Sequence, residues 1–232
     1  IVINNPMLEH MQAQYGTQNY KCIPIGYSGS SLKFDVLARE SLREQLSLED
    51  KTVVLYAGSL AKNFWNDINV YIEYFTYLNS LDDNLVFLIL TNDPHAVLVE
   101  CLELHGITNY ILRSVPSNEM SKWLSVGDIG IQVMNIVPDS ATRFGVKVVE
   151  YLAIGMPVIT NSNVGGVVNM ILDNKLGIVI DEFNNDFNLK KFLSEANSYK
   201  EHCQDFAVRQ FEFKSLAKEY YSVYKNITNY NT

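Results

Sequence analysis

From residue 51 onward the chain alternates short apolar runs with amphipathic stretches, and this alternation constrains its fold more than any other feature. Thr52–Ala57 (TVVLYA) and Leu85–Leu90 (LVFLIL) are apolar at every position or nearly so, and Gly58 and Thr91-Asn92-Asp93-Pro94 stop them. Tyr110–Leu112, Ile129–Val133, Pro157–Thr160 and Gly177–Ile180 read as further strands. A continuous apolar run needs cover on both faces, as in a parallel sheet. The intervening stretches, near 66–80, 95–105, 117–126, 145–154, 166–173 and 187–196, have helical patterning. Ser117 is the expected N-cap of the third of these. Strand and helix in this order predict right-handed βαβ units and an α/β, Rossmann-like, doubly wound parallel sheet.

The first 50 residues are different. Val2–Asn4 reads as a short strand, Met7–Tyr15 as a short helix, and Tyr20–Ile25 as an extended run containing Pro24. A Gly/Ser-rich stretch from Gly26 to Ser31 follows. One α/β step and a linker are too little for a core of their own. With Ile1 rather than Met at the start, the expectation is a piece cut from a longer protein. The expected division is a remnant of a preceding domain and its linker over 1–40, a complete domain over 41–200, and C-terminal helices over 201–232. Phe206, Phe211, Phe213, Tyr220, Tyr221 and Tyr224 in that last part read as packing against an adjoining surface.

Charge and composition exclude several functions. The 232 residues carry 18 Lys and Arg against 26 Asp and Glu, a net charge of −8. Scattered, outnumbered basic residues do not make a nucleic-acid surface. No apolar run approaches the roughly 20 residues of a membrane span. Three distant cysteines, Cys22, Cys101 and Cys203, make neither a disulfide framework nor a zinc spacing, and they point to a reducing cytosol. The histidines, His10, His95, His105 and His202, share no spacing and read as ordinary residues.

Open parallel sheets bind ligands beyond the carboxyl ends of their strands. After the first strand comes Gly58-Ser59-Leu60-Ala61-Lys62, where small residues allow close backbone approach and Lys62 supplies a point charge suited to phosphate. On these residues alone a solvated loop lysine is the default reading. The run is neither a Walker loop nor a GxGxxG fingerprint. The stronger block is Ser140–Thr160 (SATRFGVKVVEYLAIGMPVIT). Helical spacing brings Arg143, Lys147 and Glu150 to one face at a helix start, beside Gly145. Free N–H groups and the helix dipole there favour an anion. Two readings stand on spacing alone: a site for a diphosphate and a ribose diol, or a surface ladder pairing Lys147 with Glu150.

The run Phe144–Thr160, with Val164-Gly165-Gly166 after it, strongly resembles the donor-site signature of retaining GT-B glycosyltransferases of the family-4, or group 1, kind. Ile23-Pro24-Ile25-Gly26 is similar to that family's Ile-Pro-Asn-Gly approach to the inter-domain linker, with Ile25 in place of Asn. Tyr56–Lys62 is similar to its glycine-rich first loop, and Val115–Asp128 to its nucleobase segment.

The resemblance implies a role for each matching position. Lys62 and Thr142 stand at the expected catalytic positions. Gly58, Ser59, Lys62, Val115, Arg143, Phe144, Gly145, Val146, Lys147 and Glu150 are the expected donor-binding residues. Glu150, as the second Glu of a Glu-x7-Glu motif, would accept from the ribose hydroxyls, and Lys62 would stabilise the departing diphosphate. Ser59 replaces a loop arginine, so Arg143 or Lys147 would supply the second charge. Phe144-Gly145-Val146 would present N–H groups, and Ser114–Val115 would meet the base. Thr142 replaces the first motif Glu, which puts the sugar contacts in question. Asn169 stands where an acid is common.

The resemblance further implies the donor half of an enzyme moving a hexosyl unit from a UDP- or GDP-sugar to a hydroxyl, with retention. Neither metal nor cofactor is expected. The acceptor, a glycan or a lipid-linked one, would bind through the missing N-terminal domain. The isolated fragment would be inactive. The setting implied is cytoplasmic, with peripheral membrane contact of the parent, in glycan or polysaccharide synthesis. The rival readings are a non-catalytic nucleotide-sugar-binding module and an epimerase on the same architecture.

Overall fold

The apolar run Thr52–Ala57 forms β1, the hub of the sheet, with Leu85–Leu90 as β2 beside it and in register from Thr52↔Leu85 to Ala57↔Leu90. Tyr110–Arg113 (β3), Ile129–Gln132 (β4), Val158–Thr160 (β5) and Gly177–Val179 (β6) complete it. The order is β3-β2-β1-β4-β5-β6 with every pairing parallel. The computed structural model describes residues 1–16, 19–60, 67–184 and 187–229, and all six strands lie within them. This is the expected α/β, Rossmann-like, doubly wound sheet. Strand order reverses between β1 and β4, so a crevice opens at the carboxyl ends of these two.

Two apolar layers cover the sheet, and β1 shows why its run is continuous. Val53, Leu55 and Ala57 enter one layer, while Val54 and Tyr56 enter the other. The first layer is built by α6 (Val146–Ile154) and α8 (Leu189–Phe211), through Val148, Tyr151, Leu152, Cys203 and Phe206. The second is built by α3 (Ile68–Leu81) and α4 (His95–Leu104), through Tyr71, Phe75, Leu78, Leu98 and Leu102. Phe75 stacks on Phe87 of β2 at 4.3 Å. Helix α6 stops at Gly155, whose φ of +92° is the left-handed cap that glycine adopts without a Cβ penalty.

Several elements differ from the sequence expectation. The Gly/Ser-rich stretch gives way to a helix the periodicity does not announce, α2 (Val36–Gln45), capped by Asp35 through its bond from the Ala38 N–H at 2.9 Å. The 117–126 segment divides into a 3-10 turn, Ser117–Glu119, and a short α5, Met120–Leu124. Ser117 is not a side-chain cap: the position before the turn is Pro116, and no side chain caps it. Val2–Asn4 is reduced to one bridge, Val2↔Cys22, while the helix after it, α1 (Asn5–Tyr15), gains a cap from Asn4. Helix α7 (Gly165–Asp173) falls where expected.

The segments 187–196 and 199–226 divide instead at residue 212, into α8 and α9 (Phe213–Asn229). No breaker stands between 196 and 199. The break comes where the linker docks: the Tyr27 N–H donates to Phe211 O at 2.9 Å, and the Phe213 N–H donates to Tyr27 O at 3.0 Å. Among the described residues, no helix is long and apolar enough to cross a membrane.

Candidate functional site

The crevice at the carboxyl ends of β1 and β4 is a cleft of about 440 Å³. Gly58 and Ser59 border it from the loop after β1, and Gln132 and Met134 from the end of β4. Thr142, Arg143, Phe144, Gly145, Val146 and Lys147 border it from the turn into α6. Eight of the expected site residues therefore meet in one place. A second hollow of about 380 Å³ shares Val146 and Lys147 with the first and adds Glu150, Ser117, Met120, Ser121 and linker residues Gly26–Ser28. Arg143 thus borders the first hollow and Glu150 the second, while Val146 and Lys147 border both. Val115 is buried in the core and borders neither hollow. Lys62 lies outside the described residues.

The α6 N-terminus carries the anion-binding potential of this region. Gly145 occupies its cap position, no side chain caps it, and no acid sits in the first turn. Gly145 fits because its Cα lies against Gln132: a Cβ there would approach the Gln132 side chain to 2.9 Å. The pairing of Lys147 with Glu150 is present, Nζ to Oε2 at 2.9 Å, both side chains about a third or less exposed. Arg143 is held by Asp139, Nη2 to Oδ2 at 2.8 Å and Nε to Oδ1 at 3.1 Å. The surface pairing of Lys147 with Glu150 is therefore made by two of the expected site residues themselves. These ion pairs fix where the cationic heads lie at the mouth of the cleft.

A buried polar floor sets the loop after β1. The Tyr151 hydroxyl accepts from the Ala57 N–H at 2.9 Å, and the Tyr56 hydroxyl donates to Ser59 O at 2.8 Å. Gln132 donates to the Tyr71 hydroxyl at 3.3 Å. Burial pushes the Tyr71 and Tyr151 phenols well above their ordinary value, with the neighbouring Tyr56 adding to the effect, so both stay protonated. From the end of β2, Asp93 accepts from the Ser59 hydroxyl at 3.0 Å and from the Leu60 N–H. Gly58 therefore leads into a loop gripped from below by tyrosines and from the side by Asp93.

The N-terminal segment closes one wall. Ile3 and Met7 line the first cleft. Asn4, almost fully buried, caps α1 by accepting from Met7 N at 2.8 Å and donates to Thr142 O at 2.8 Å. Gly166 reaches the same point, its N–H on Arg143 O at 2.8 Å. The sequence reading missed Asn4, Gln132, Asp93 and Asp139, and it quoted Tyr56 only as the start of the glycine-rich loop. Asp139 left a local trace, its four-residue spacing from Arg143, and Tyr56 lies three residues before the Ser59 carbonyl it bonds. Asn4, Gln132 and Asp93 meet the site through folding. Among the described residues, no group of three or more His, Cys, Asp or Glu side chains is placed to hold a metal.

Comparison with known proteins agrees with this fold. The model of a family described as glycosyl transferases group 1 matches residues 38–210. The alpha-D-kanosaminyltransferase of Streptomyces kanamyceticus is 26% identical over 145 residues, which are 62% of this chain and 36% of that protein. The crystal structure of HepE from Anabaena in complex with UDP-glucose superposes with a TM-score of 0.74 at 15% identity, over 97% of this chain and 63% of that one. The crystal structure of WaaG, a glycosyltransferase involved in lipopolysaccharide biosynthesis, gives 0.70 at 20% identity, over 94% and 60%. This chain therefore spans about a third of the kanosaminyltransferase and about three-fifths of each of the two structures. The fold is that of the Rossmann-like domain of these GT-B proteins.

Proposed function

Starting from the fact that this chain belongs to the glycosyl transferases of group 1, we propose that it is the C-terminal, donor-binding part of a retaining GT-B hexosyltransferase. Its ligand is a nucleoside-diphosphate sugar, and the parent enzyme passes the sugar to a hydroxyl of a glycan or lipid-linked acceptor in polysaccharide or related glycan synthesis. Residues 1–40 are the end of the acceptor domain and its linker, residues 41–200 the donor domain, and residues 201–232 helices that return to the acceptor domain. The chain alone does not turn over, because the acceptor side belongs to the missing part. The setting is cytoplasmic, with the parent touching a membrane through the other domain.

The observation that carries this reading is the pair of connected hollows at the switch point of the sheet, joined across Val146 and Lys147. The first suits a diphosphate: it contains the uncapped α6 N-terminus, the Phe144-Gly145-Val146 backbone and two cations. The second suits a nucleoside: it contains the Glu150 carboxylate for the ribose diol and, next to it, the serine-rich turn that follows β3. Lys62, four residues after Gly58 in the sequence, is the residue we assign to the departing diphosphate. Its contribution is charge stabilisation of the leaving group rather than proton transfer.

Titration calorimetry tests the assignment directly. UDP and GDP are titrated into the wild-type chain, Glu150→Ala and Lys62→Ala. Each substitution is expected to weaken the preferred nucleotide about tenfold or more, the value of one charge-assisted hydrogen bond or contact. Unchanged affinity in both variants overturns the assignment. The same experiment names the base.

A further inference from the structure

An acid in an anion-binding cleft needs an explanation, and the first cleft has one: Asp139 is the single acidic residue among the described residues lining it. A bare carboxylate there would repel a diphosphate. Its charge is offset by Arg143, which takes one site on each carboxylate oxygen through Nη2 at 2.8 Å and Nε at 3.1 Å. A carboxylate offers about four acceptor sites, so about two remain. The side chain is open enough to use them: Asp139 is 56% exposed, against 23% for Arg143.

The neighbouring position is turned the other way. The Thr142 hydroxyl donates to Asp139 O at 3.1 Å, its N–H donates to the same oxygen at 3.0 Å, and its carbonyl accepts from Asn4 at 2.8 Å. The polar atoms of Thr142 thus serve the loop, and what the loop offers the cleft is the Asp139 carboxylate. Such a neutralised acceptor pair suits an uncharged, hydroxyl-rich group adjoining the diphosphate, and it does little for the diphosphate itself.

We propose that Asp139, held by Arg143, binds hydroxyls of the donor's sugar and so makes the cleft select nucleotide sugar over free nucleotide. This rests on the donor-site reading above and assigns the sugar end of it to a residue outside the sequence motif. Removing Asp139 has opposite effects on the two ligands. The free diphosphate gains, because a negative charge leaves the cleft. The sugar conjugate loses its acceptor.

The test compares free UDP and GDP with UDP-glucose, UDP-galactose, UDP-N-acetylglucosamine and GDP-mannose, on wild type, Asp139→Ala and Asp139→Asn. Thermal melts confirm that each variant is folded. In Asp139→Ala, the preference of the best conjugate over its own diphosphate is expected to fall about tenfold, while the diphosphate alone binds about two- to fivefold tighter. Asp139→Asn, which keeps one acceptor oxygen, is expected to fall between. An unchanged preference in both variants overturns the proposal, as does a parallel loss of both ligands, which would mark Asp139 as a scaffold for the loop. Absence of all nucleotide binding by the wild-type chain overturns the donor-site reading itself.

Discussion

Tyr151 and Gly130 show how a single contact couples the core to the site. The Tyr151 ring lies flat against the position where Gly130 has no side chain, and a Cβ there would approach the ring to 2.3 Å. That space lets the Tyr151 hydroxyl reach the Ala57 N–H under the Gly58 loop. Tyr151→Phe keeps the ring and leaves that N–H buried without its acceptor, an expected loss of about 1–3 kcal/mol. Gly130→Ala overpacks the same point for a similar loss, about 1–3 kcal/mol. In a Tyr151→Ala background the ring contacts at 2.3 and 2.4 Å go and only the one to the Tyr151 Cβ, at 2.9 Å, remains, so urea unfolding of the cycle is expected to show a coupling of at least about 1 kcal/mol. Additivity would mean that the ring is not what requires glycine. Glu150, Lys147 and Gly145 were legible in the sequence because the α6 turn places them by local spacing. Tyr151 sits beside Glu150 and reads only as apolar packing, while Asn4 and Asp93 read locally as a helix cap and a turn residue. Their contacts at the site, to Thr142 and to the Ser59–Leu60 loop, join distant parts of the chain.

At the level of elements, strands were legible almost to the residue, because a both-faces-buried strand must be continuously apolar and bounded by turns. Helix α2 was not, and the reason is the way it docks. Its buried residue is an arginine: Arg43 donates to Val126 O, Leu48 O, Lys51 O and Asp128 Oδ2, and Arg39 to Ser125 O, Val126 O, Gly127 O and Asp128. Asp128 in turn accepts from the Val53 N–H at 2.8 Å. A helix held by guanidinium forks and not by an apolar stripe leaves little periodicity to read. The clamp fastens the amino ends of β1 and β4, at the edge opposite the cleft. Asp128→Ala strands two cations, one of them buried, and is expected to cost about 3–5 kcal/mol. Glu219→Ala breaks the Lys21–Glu219 pair, whose side chains are 51% and 50% exposed, and is expected to cost at most about 1 kcal/mol. Comparable losses in urea unfolding of the two variants would contradict the clamp.

For the whole molecule, the ionisable groups sealed into both layers fix how stability responds to pH. Burial pushes the Cys203 thiol up to about 12 in the first layer, where Tyr151 is raised well above its ordinary value. In the second layer burial raises Tyr71 well above its usual range and Tyr74 to about 12. All are neutral acids whose folded values exceed the unfolded ones, near 8.5 for a thiol and 10 for a phenol. Above those values the unfolded chain has released protons that the native chain still binds. The slope of unfolding free energy with pH is then negative. The contribution of these groups is fully present below about pH 8, starts to fall as the unfolded thiol and then the phenols ionise, and is lost through the folded values, about 12 for Cys203 and Tyr74. Each group can add up to about 1.4 kcal/mol per pH unit to that slope. Urea midpoints followed from pH 7 to 11 are therefore expected to change little at first and to drop increasingly steeply beyond pH 9 to 10. A thiol reagent at pH 8 should label the partly exposed Cys22 and Cys101 in the native chain and reach Cys203 only with unfolding. Tyr71→Phe and Cys203→Ala each remove one proton-binding difference, so the alkaline slope should be shallower in each. An identical alkaline slope in both variants would mean that these buried acids do not set it.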